Sequence, residues 1–93
     1  MDVKHVEGAN KKNKVFLYAL STCVWCKRVR VLLEELGVDY EYAYVDMLAG
    51  ERKETVMNEL ESLNPQGGFP VMVVNKTKVI TGFKPEEISE IFK

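Results

Sequence analysis

The alternation of apolar and polar residues predicts strands and helices in turn along the first half of the chain. Residues 15–20 are continuously apolar, which is typical of a central strand covered on both faces. Residues 23–36 then repeat apolar side chains with helical spacing, and Gly37 supplies a stop at the C-terminal end. Residues 40–45 alternate with a period of two, which predicts an edge strand with one packed face.

The second half of the chain predicts a helix, a hairpin and a last helix. Residues 51–63 form the expected second helix, and its predicted inner face consists of Val56, Met57, Leu60 and Leu63. Residues 71–74 are again continuously apolar, and a turn connects them to a strand at residues 78–81. The last helix is predicted to begin near Pro85, since proline suits the first turn of a helix. The side chains expected to point inward from it are Ile88, Ile91 and Phe92.

This order, β-α-β-α-β-β-α, predicts an α/β protein with a four-stranded mixed sheet and helices on both faces. The first βαβ unit should be parallel with a right-handed crossover, and the last two strands should be antiparallel. We expect one compact domain over residues 15–93. Residues 1–14 are polar and are predicted to be a loosely ordered leader, with a short extended piece at residues 3–6 and a solvated surface histidine, His5.

Length and charge narrow the class of protein. Ninety-three residues suit one domain, and 46% apolar with 29% charged residues is an ordinary globular composition. The net charge is −1 and the basic residues are spread along the chain, which disfavours nucleic acid as the main partner. No apolar run approaches the roughly 20 residues of a membrane span, and the N-terminus lacks a signal-peptide core. We therefore expect a cytoplasmic monomer that does not bind a membrane.

The only two cysteines of the chain stand three positions apart, in the motif Cys23-Val24-Trp25-Cys26. At a strand-to-helix junction inside a βαβ pattern, such a pair indicates a thiol–disulfide exchange site. The competing interpretation is a metal site. A structural zinc site needs four ligands, and beyond the two cysteines the chain offers only the distant His5. We therefore predict no metal and no cofactor, since zinc or an iron–sulfur cluster would require a dimer or an external thiol.

The helical spacing makes the two sulfurs unequal. Cys23 falls at the exposed first turn, whereas Cys26 falls on the buried side of the helix. Exchange needs a thiolate, and a helix N-terminus lowers the pKa of a thiol from its usual value of about 8.5. Lys27 and Arg28 add positive charge one turn further on. These features predict Cys23 as the nucleophile and Cys26 as the resolving cysteine.

Phe69-Pro70 is the second informative dipeptide, because it precedes a strand expected to run antiparallel beside the first one. The start of that strand would then lie near the Cys23 end of the helix. One interpretation is a proline that merely ends a loop. The other is a cis bond that exposes the backbone of Phe69 for pairing with an extended substrate. Trp25 is likewise either a core residue or a partner contact.

Three segments together resemble the glutaredoxin branch of the thioredoxin-fold superfamily. They are Tyr-Ala-Leu-Ser-Thr-Cys-Val-Trp-Cys at residues 18–26, Phe-Pro-Val at residues 69–71 and Thr-Gly-Phe-Lys-Pro-Glu at residues 81–86. The resemblance covers nearly everything from Lys14 onward. It implies a thioredoxin-like fold, Pro70 as the cis-proline of the family, and reduction of protein or small-molecule disulfides.

The segment at residues 81–86 is similar to Ser-Gly-Phe-Arg-Pro-Asp of NrdH-redoxins, which pass electrons from thioredoxin reductase to ribonucleotide reductase. The resemblance thus implies these two enzymes as electron donor and acceptor. It also implies that substrates contact Val24, Trp25, Phe69, Pro70, Gly82 and Phe83.

Two departures from the glutaredoxin pattern disfavour glutathione as a ligand. Gly68-Phe69-Pro70 stands where many members have Thr-Val-Pro, and Gly82 is followed by Phe83 rather than by a second glycine and an acid. The alternatives to the leading prediction are a glutaredoxin that uses glutathione or another small thiol such as coenzyme M, an iron–sulfur cluster carrier in which two chains share a cluster through Cys23, and an interaction module with incidental cysteines.

Overall fold

The computed structural model describes residues 3–93, which form five strands, three α-helices and a short 3₁₀ turn. The strands are β1 (Val3–Val6), β2 (Val15–Ala19), β3 (Tyr40–Tyr44), β4 (Val71–Val74) and β5 (Lys78–Thr81). The helices are α1 (Val24–Glu35), α2 (Gly50–Leu63) and α3 (Pro85–Ile91), with the 3₁₀ turn at Val45–Met47. Within residues 3–93, no helix combines the length and the apolar character needed to cross a membrane.

The central strand β2 organises the sheet, whose order is β1-β3-β2-β4-β5. It pairs in parallel with β3 and antiparallel with β4, and β4 pairs antiparallel with β5. Val15, Leu17 and Ala19 of β2 are fully buried on one face, while Phe16 and Tyr18 are partly covered on the other. The predicted central strand, parallel βαβ unit and antiparallel hairpin are therefore confirmed.

The sheet has five strands rather than the predicted four, because Val3–Val6 of the leader pairs antiparallel with β3. The prediction that β3 lies at an edge was consequently wrong. An edge strand leaves a row of backbone N–H and C=O groups without partners, and β1 supplies partners for those of β3. The leader strand was missed as part of the sheet because only Val3 and Val6 are apolar, and both are only half-buried.

Further contacts fix the leader to the turn that follows α1. The His5 ring nitrogen Nε2 lies 2.9 Å from Asp39 Oδ2, and the Gly8 N–H donates to Asp39 Oδ1 over 3.0 Å. The Asn10 N–H donates to the Gly37 carbonyl, and the Asp39 N–H donates to the Asn10 carbonyl, each over 2.9 Å. His5 is exposed as predicted, but it is also the partner of a carboxylate.

Two apolar clusters place helices on both faces of the sheet, as predicted. One contains buried residues of α1 and α3, including Cys26, Leu33 and Ile88. The other contains Leu60 of α2. Met57 was predicted to face inward, but its side chain is 44% exposed. The buried side of α2 instead follows residues 56, 60 and 63. Met57 comes one residue after Val56, and one residue of an α-helix turns the side chain by about 100°, which carries Met57 away from the buried side.

Gly8 is expected to be intolerant of any side chain. A Cβ at this position would lie 2.5 Å from the Gly37 carbonyl oxygen and 2.5 Å from the Val38 carbonyl carbon. Because backbone atoms cannot rotate away, we expect Gly8→Ala to displace the leader and to destabilise the fold by about 1–3 kcal/mol. Urea unfolding and amide exchange of β1 measure this effect, with exposed Glu7→Ala as the control. Wild-type protection of the β1 amides in Gly8→Ala would contradict it.

The His5–Asp39 pair is expected to stabilise the fold in a defined pH window. The hydrogen bond that His5 donates to Asp39 raises the pKa of His5, so this contribution is complete below about pH 6.5 and is lost as the pH rises through the folded-state value. The hydrogen bonds from His5 and the Gly8 amide lower the pKa of Asp39, so its contribution is complete above about pH 3.9 and is lost on acidification. Comparison of wild type with His5→Gln by urea unfolding should therefore show the largest difference between about pH 4 and 6.5. A difference that stays constant from acid to alkaline pH would contradict this assignment.

Candidate active site

Cys23 occupies the N-cap position of α1, directly after the loop that leaves β2. Its backbone is extended, with φ −89° and ψ 115°, and its carbonyl accepts the Lys27 N–H over 3.2 Å. The Cys26 N–H donates to Cys23 Sγ, also over 3.2 Å. A sulfur therefore stands where an N-cap oxygen usually accepts a first-turn amide. Because the amides and dipole at a helix N-terminus attract negative charge, this position suits a reactive sulfur.

Cys26 lies one turn further on and is 1% exposed, within the core cluster that also contains Val29 and Leu33. Burial, together with the contact to the Cys23 thiol, raises the pKa of Cys26 to about 12. Cys23 is only partly buried, and both cysteines are free thiols. The two sulfurs are therefore adjacent but unequal: one reaches the surface, and the other remains a protonated thiol at neutral pH.

A carboxylate that the sequence analysis missed holds the loop before Cys23. The Ser21 N–H donates to Asp46 Oδ1 over 2.9 Å, and the Ser21 hydroxyl donates to Asp46 Oδ2. These two hydrogen bonds lower the pKa of Asp46. Asp46 follows the carboxyl end of β3, which lies beside that of β2 because Ala19 and Tyr44 pair in parallel. The sequence signal for this contact is the position of Asp46, an acid just after the strand that is parallel to β2.

A cavity of about 300 Å³ opens beside Cys23 on the β3 side. It is lined by Leu20, Ser21, Thr22, Cys23, Val24, Lys27, Arg30 and Tyr44. Arg30, a second residue missed from the sequence, is fixed there because its guanidinium lies 4.0 Å from the centre of the Tyr42 ring and donates to Tyr44 Oη over 2.7 Å. Two cationic side chains thus line the same cavity as the half-buried sulfur.

Phe69 and Pro70 lie on the other side of the cysteine loop. Val71, the first residue of β4, pairs with Tyr18 of β2, so Pro70 stands beside the strand end that leads to Cys23. The Phe69–Pro70 peptide bond is cis. Pro70 is buried, and its carbonyl accepts the Gly82 N–H over 2.8 Å. The structure therefore brings this dipeptide to the same end of the sheet as the cysteines.

Aromatic side chains form the outer rim of the site. Trp25 is 53% exposed, and its ring stacks on that of Phe83 with 5.8 Å between centroids and 26° between planes. The Arg28 guanidinium carbon lies 5.1 Å from the centre of the Trp25 ring. Gly82, with φ +80°, makes the turn that presents Phe83. Of the two predicted charge-supplying residues, Lys27 lines the Cys23 cavity, whereas Arg28 lies over Trp25.

Metal-binding side chains do not gather anywhere in the part of the chain from residue 3 to residue 93. No group of three or more histidine, cysteine, aspartate and glutamate side chains has the spacing of a metal site there. His5 is bonded to Asp39 on the leader side of the sheet. A cluster held by residues 3–93 would therefore need further ligands.

Comparison with known proteins identifies the family and the fold of the chain. A family model described as Glutaredoxin matches residues 15–79. The crystal structure of the glutaredoxin from Methanosarcina mazei Go1 is 44% identical, with a TM-score of 0.88 over 99% of this chain and 88% of that one. Methanoredoxin from Methanosarcina acetivorans is 42% identical, with a TM-score of 0.85 over 91% of this chain and 88% of that one. These likenesses confirm the predicted thioredoxin-like fold.

Two further likenesses are more distant or more partial. NrdH-redoxin from Escherichia coli is 26% identical, with a TM-score of 0.62 over 84% of this chain and 93% of that one. The chain spans about a quarter of the length of the first curated relatives that it matches. Among them is glutathione S-transferase 1 from Dianthus caryophyllus, which is 40% identical over 63 residues, or 68% of this chain and 26% of that protein.

The unequal environments of the sulfurs predict unequal alkylation. In Cys23→Ser the sole thiol is Cys26, whose burial keeps its pKa well above the usual value and leaves little thiolate at mildly alkaline pH. We expect iodoacetamide to modify it at least about a hundredfold more slowly in the native state than in denaturant, since only the thiolate reacts. Cys26→Ser, which keeps the partly buried Cys23, is the matched control and should react readily when folded. Equal native rates in the two variants would contradict this description.

Proposed function

Because this chain belongs to the glutaredoxin family, we propose that it reduces disulfides of proteins or small molecules by a two-cysteine mechanism, with Cys23 as the nucleophile and Cys26 as the resolving cysteine. The family connects the chain to thiol–disulfide oxidoreductases in general. The observation that carries the specific proposal is the 3.2 Å hydrogen bond from the Cys26 N–H to Cys23 Sγ. This hydrogen bond joins the partly exposed sulfur of Cys23, at the helix N-terminus, to the first turn of the helix, which carries the buried thiol of Cys26.

The proposed reaction has two exchange steps. The Cys23 thiolate attacks one sulfur of the substrate disulfide, a bond forms between them, and the other substrate sulfur leaves as a thiolate. Cys26 then loses its proton, attacks Cys23 Sγ, and releases the second substrate thiolate while the Cys23–Cys26 disulfide forms. Because the pKa of Cys26 starts at about 12, this second step needs a proton acceptor close by. The departing substrate thiolate or a water molecule fills that role.

Substrates are proposed to lie across the end of the sheet that carries the cysteines. The backbone of Phe69, just before β4, would pair with an extended substrate segment. Val24 and Trp25 beside Cys23, and Phe83 after Gly82, would contact its side chains. Support comes from position and exposure: Val24 and Trp25 are 64% and 53% exposed, and the Trp25 ring stacks on Phe83.

The electron donor we favour is thioredoxin reductase, with ribonucleotide reductase as an acceptor, in a cytoplasmic monomer. The similarity of residues 81–86 to the NrdH-redoxin segment and the 26% identity to the NrdH-redoxin of Escherichia coli support this choice. A small thiol is the second candidate, because Lys27 and Arg30 line the cavity beside Cys23 and suit a negatively charged molecule. Reduction kinetics of the oxidised protein with thioredoxin reductase, glutathione and coenzyme M separate these donors.

An iron–sulfur carrier is the alternative from another class, with two chains sharing a cluster through Cys23 and an external thiol. Cys23 is the accessible sulfur, and the described part of the chain supplies no third ligand near it. Anaerobic reconstitution with iron and sulfide distinguishes the two functions. A bound cluster absorbs visible light, and a cluster shared by two chains doubles the molecular mass of the protein. A colourless monomer dismisses the carrier.

The two-cysteine mechanism predicts different defects in the two cysteine variants. Cys23→Ser should lose essentially all reduction of insulin, because no thiolate remains to attack. Cys26→Ser should still attack but should accumulate a mixed disulfide, because nothing resolves it. Insulin turbidity measures the first effect, and mass spectrometry of the trapped adduct measures the second. Retention of full activity by Cys23→Ser would refute the mechanism.

A further inference from the structure

The outward face of α1 carries apolar side chains into solvent. Val24 is 64% exposed and Val31 is 48% exposed, and their separation of seven residues puts them on one side of the helix. Phe83 borders the same face. Together they form a groove of about 390 Å³, which we name the α1 groove. It is lined by Val24, Lys27, Arg28, Val31, Leu32, Glu35 and Phe83. The groove begins at the residue after Cys23 and leads away from it along the helix.

The charges of the α1 groove are arranged by sign along its length. Lys27 and Arg28 stand at the end close to Cys23, and Glu35 stands at the other end. Eight residues of helix separate Lys27 from Glu35, which corresponds to about 12 Å. Within residues 3–93, Lys27, Arg28 and Glu35 take part in none of the ion pairs, so their charges face an occupant of the groove. An occupant would therefore meet positive charge beside the reactive sulfur, an apolar surface next, and negative charge last.

We propose that the α1 groove docks a segment of the protein whose disulfide is reduced, and that this segment carries an acidic residue beside its reacting cysteine, an apolar residue opposite Val31, and a basic residue opposite Glu35. This proposal rests on the proposed function and adds the class of substrate that the site selects. Charge complementarity of this kind acts mainly on the rate of encounter and on the choice of partner. The substrate is thus selected along the helix while the chemistry takes place at its N-terminus.

A second copy of the chain is the competing occupant of this groove. In an antiparallel pairing with the two-fold axis at Val31, Lys27 of each copy would lie opposite Glu35 of the other, so charge alone does not separate the two occupants. The position of the groove favours a substrate segment, because the groove begins at the residue after Cys23, where a segment attached to the reacting disulfide must lie.

The test uses two amphipathic peptides of identical composition, each with an N-terminal cysteine in disulfide linkage to thionitrobenzoate. The matched peptide has aspartate beside the cysteine and lysine beyond its apolar residue, and the reversed peptide exchanges the two charges. Cys23 attacks the peptide sulfur and thionitrobenzoate leaves as a coloured thiolate, after which Cys26 releases the peptide thiol. We expect the wild type to react about tenfold faster with the matched peptide at low salt, and the preference to shrink at high salt.

Variants remote from the cysteines separate docking from chemistry. Glu35→Lys should cut the preference for the matched peptide several-fold, because it repels the far lysine and attracts the far aspartate of the reversed peptide. Val31→Asp should slow the matched peptide several-fold, because it places a charge in the apolar part of the groove. Both should reduce an uncharged small disulfide at the wild-type rate. Glu54→Lys makes the same charge change on exposed α2 and should alter nothing.

Each contrary outcome has its own meaning. Equal wild-type rates with both peptides, or a Glu54→Lys effect as large as that of Glu35→Lys, would overturn the docking proposal while leaving the reductase function in place. A concentration-dependent dimer that Val31→Asp dissociates would overturn it in favour of a second copy as the occupant. Failure of the wild type to reduce any of these disulfides would instead refute the proposed function itself.

Discussion

The burial of one face of β2, together with its pairing on both edges, is the constraint on which the site depends. Because Leu17 and Ala19 are fully covered and the strand is paired on both edges, its carboxyl end has one fixed position, and the chain must turn there into α1. Cys23 lies at that turn, as the N-cap of α1, so the turn fixes the position of its backbone. The same strand aligns the end of β3, which supplies Asp46, and the start of β4, which follows Pro70. Three separate parts of the chain thereby meet at the end of the sheet that carries Cys23.

Local patterns were enough to predict the main elements and the asymmetry of the cysteines. The continuous apolar runs located β2 and β4, and the helical phase of Cys26 relative to Val29 and Leu33 placed it in the core. Patterns within one segment were insufficient where a contact joins distant segments of polar sequence. Asp46 and Ser21 are 25 residues apart, and β1 joins the sheet through backbone bonds that its side chains scarcely reveal.

Electrostatic asymmetry recurs at two scales in this small domain. At the scale of a single turn, Cys23 Sγ accepts a hydrogen bond from the Cys26 N–H at the helix start, while burial keeps the Cys26 thiol neutral. At the scale of the whole helix, cations gather near the cysteines and Glu35 lies at the far end. Arg30 is held among three tyrosines of β3 and lies 3.8 Å from a carboxylate oxygen of Glu34. Lys27 and Arg30 thus line the cavity beside Cys23 in a chain with a net charge of −1.

The position of β1 bears on the solubility of the protein. Without this strand, the edge of the sheet would be β3, whose Tyr-Glu-Tyr-Ala-Tyr sequence has the aromatic alternation that favours pairing with another chain. With it, the two outer strands are β1 and β5, each only four residues long and each carrying a lysine, Lys4 or Lys78. Short, charged edges resist intermolecular sheet growth. By pairing with β3, residues 3–6 of the leader therefore cover the strand edge that would most favour aggregation.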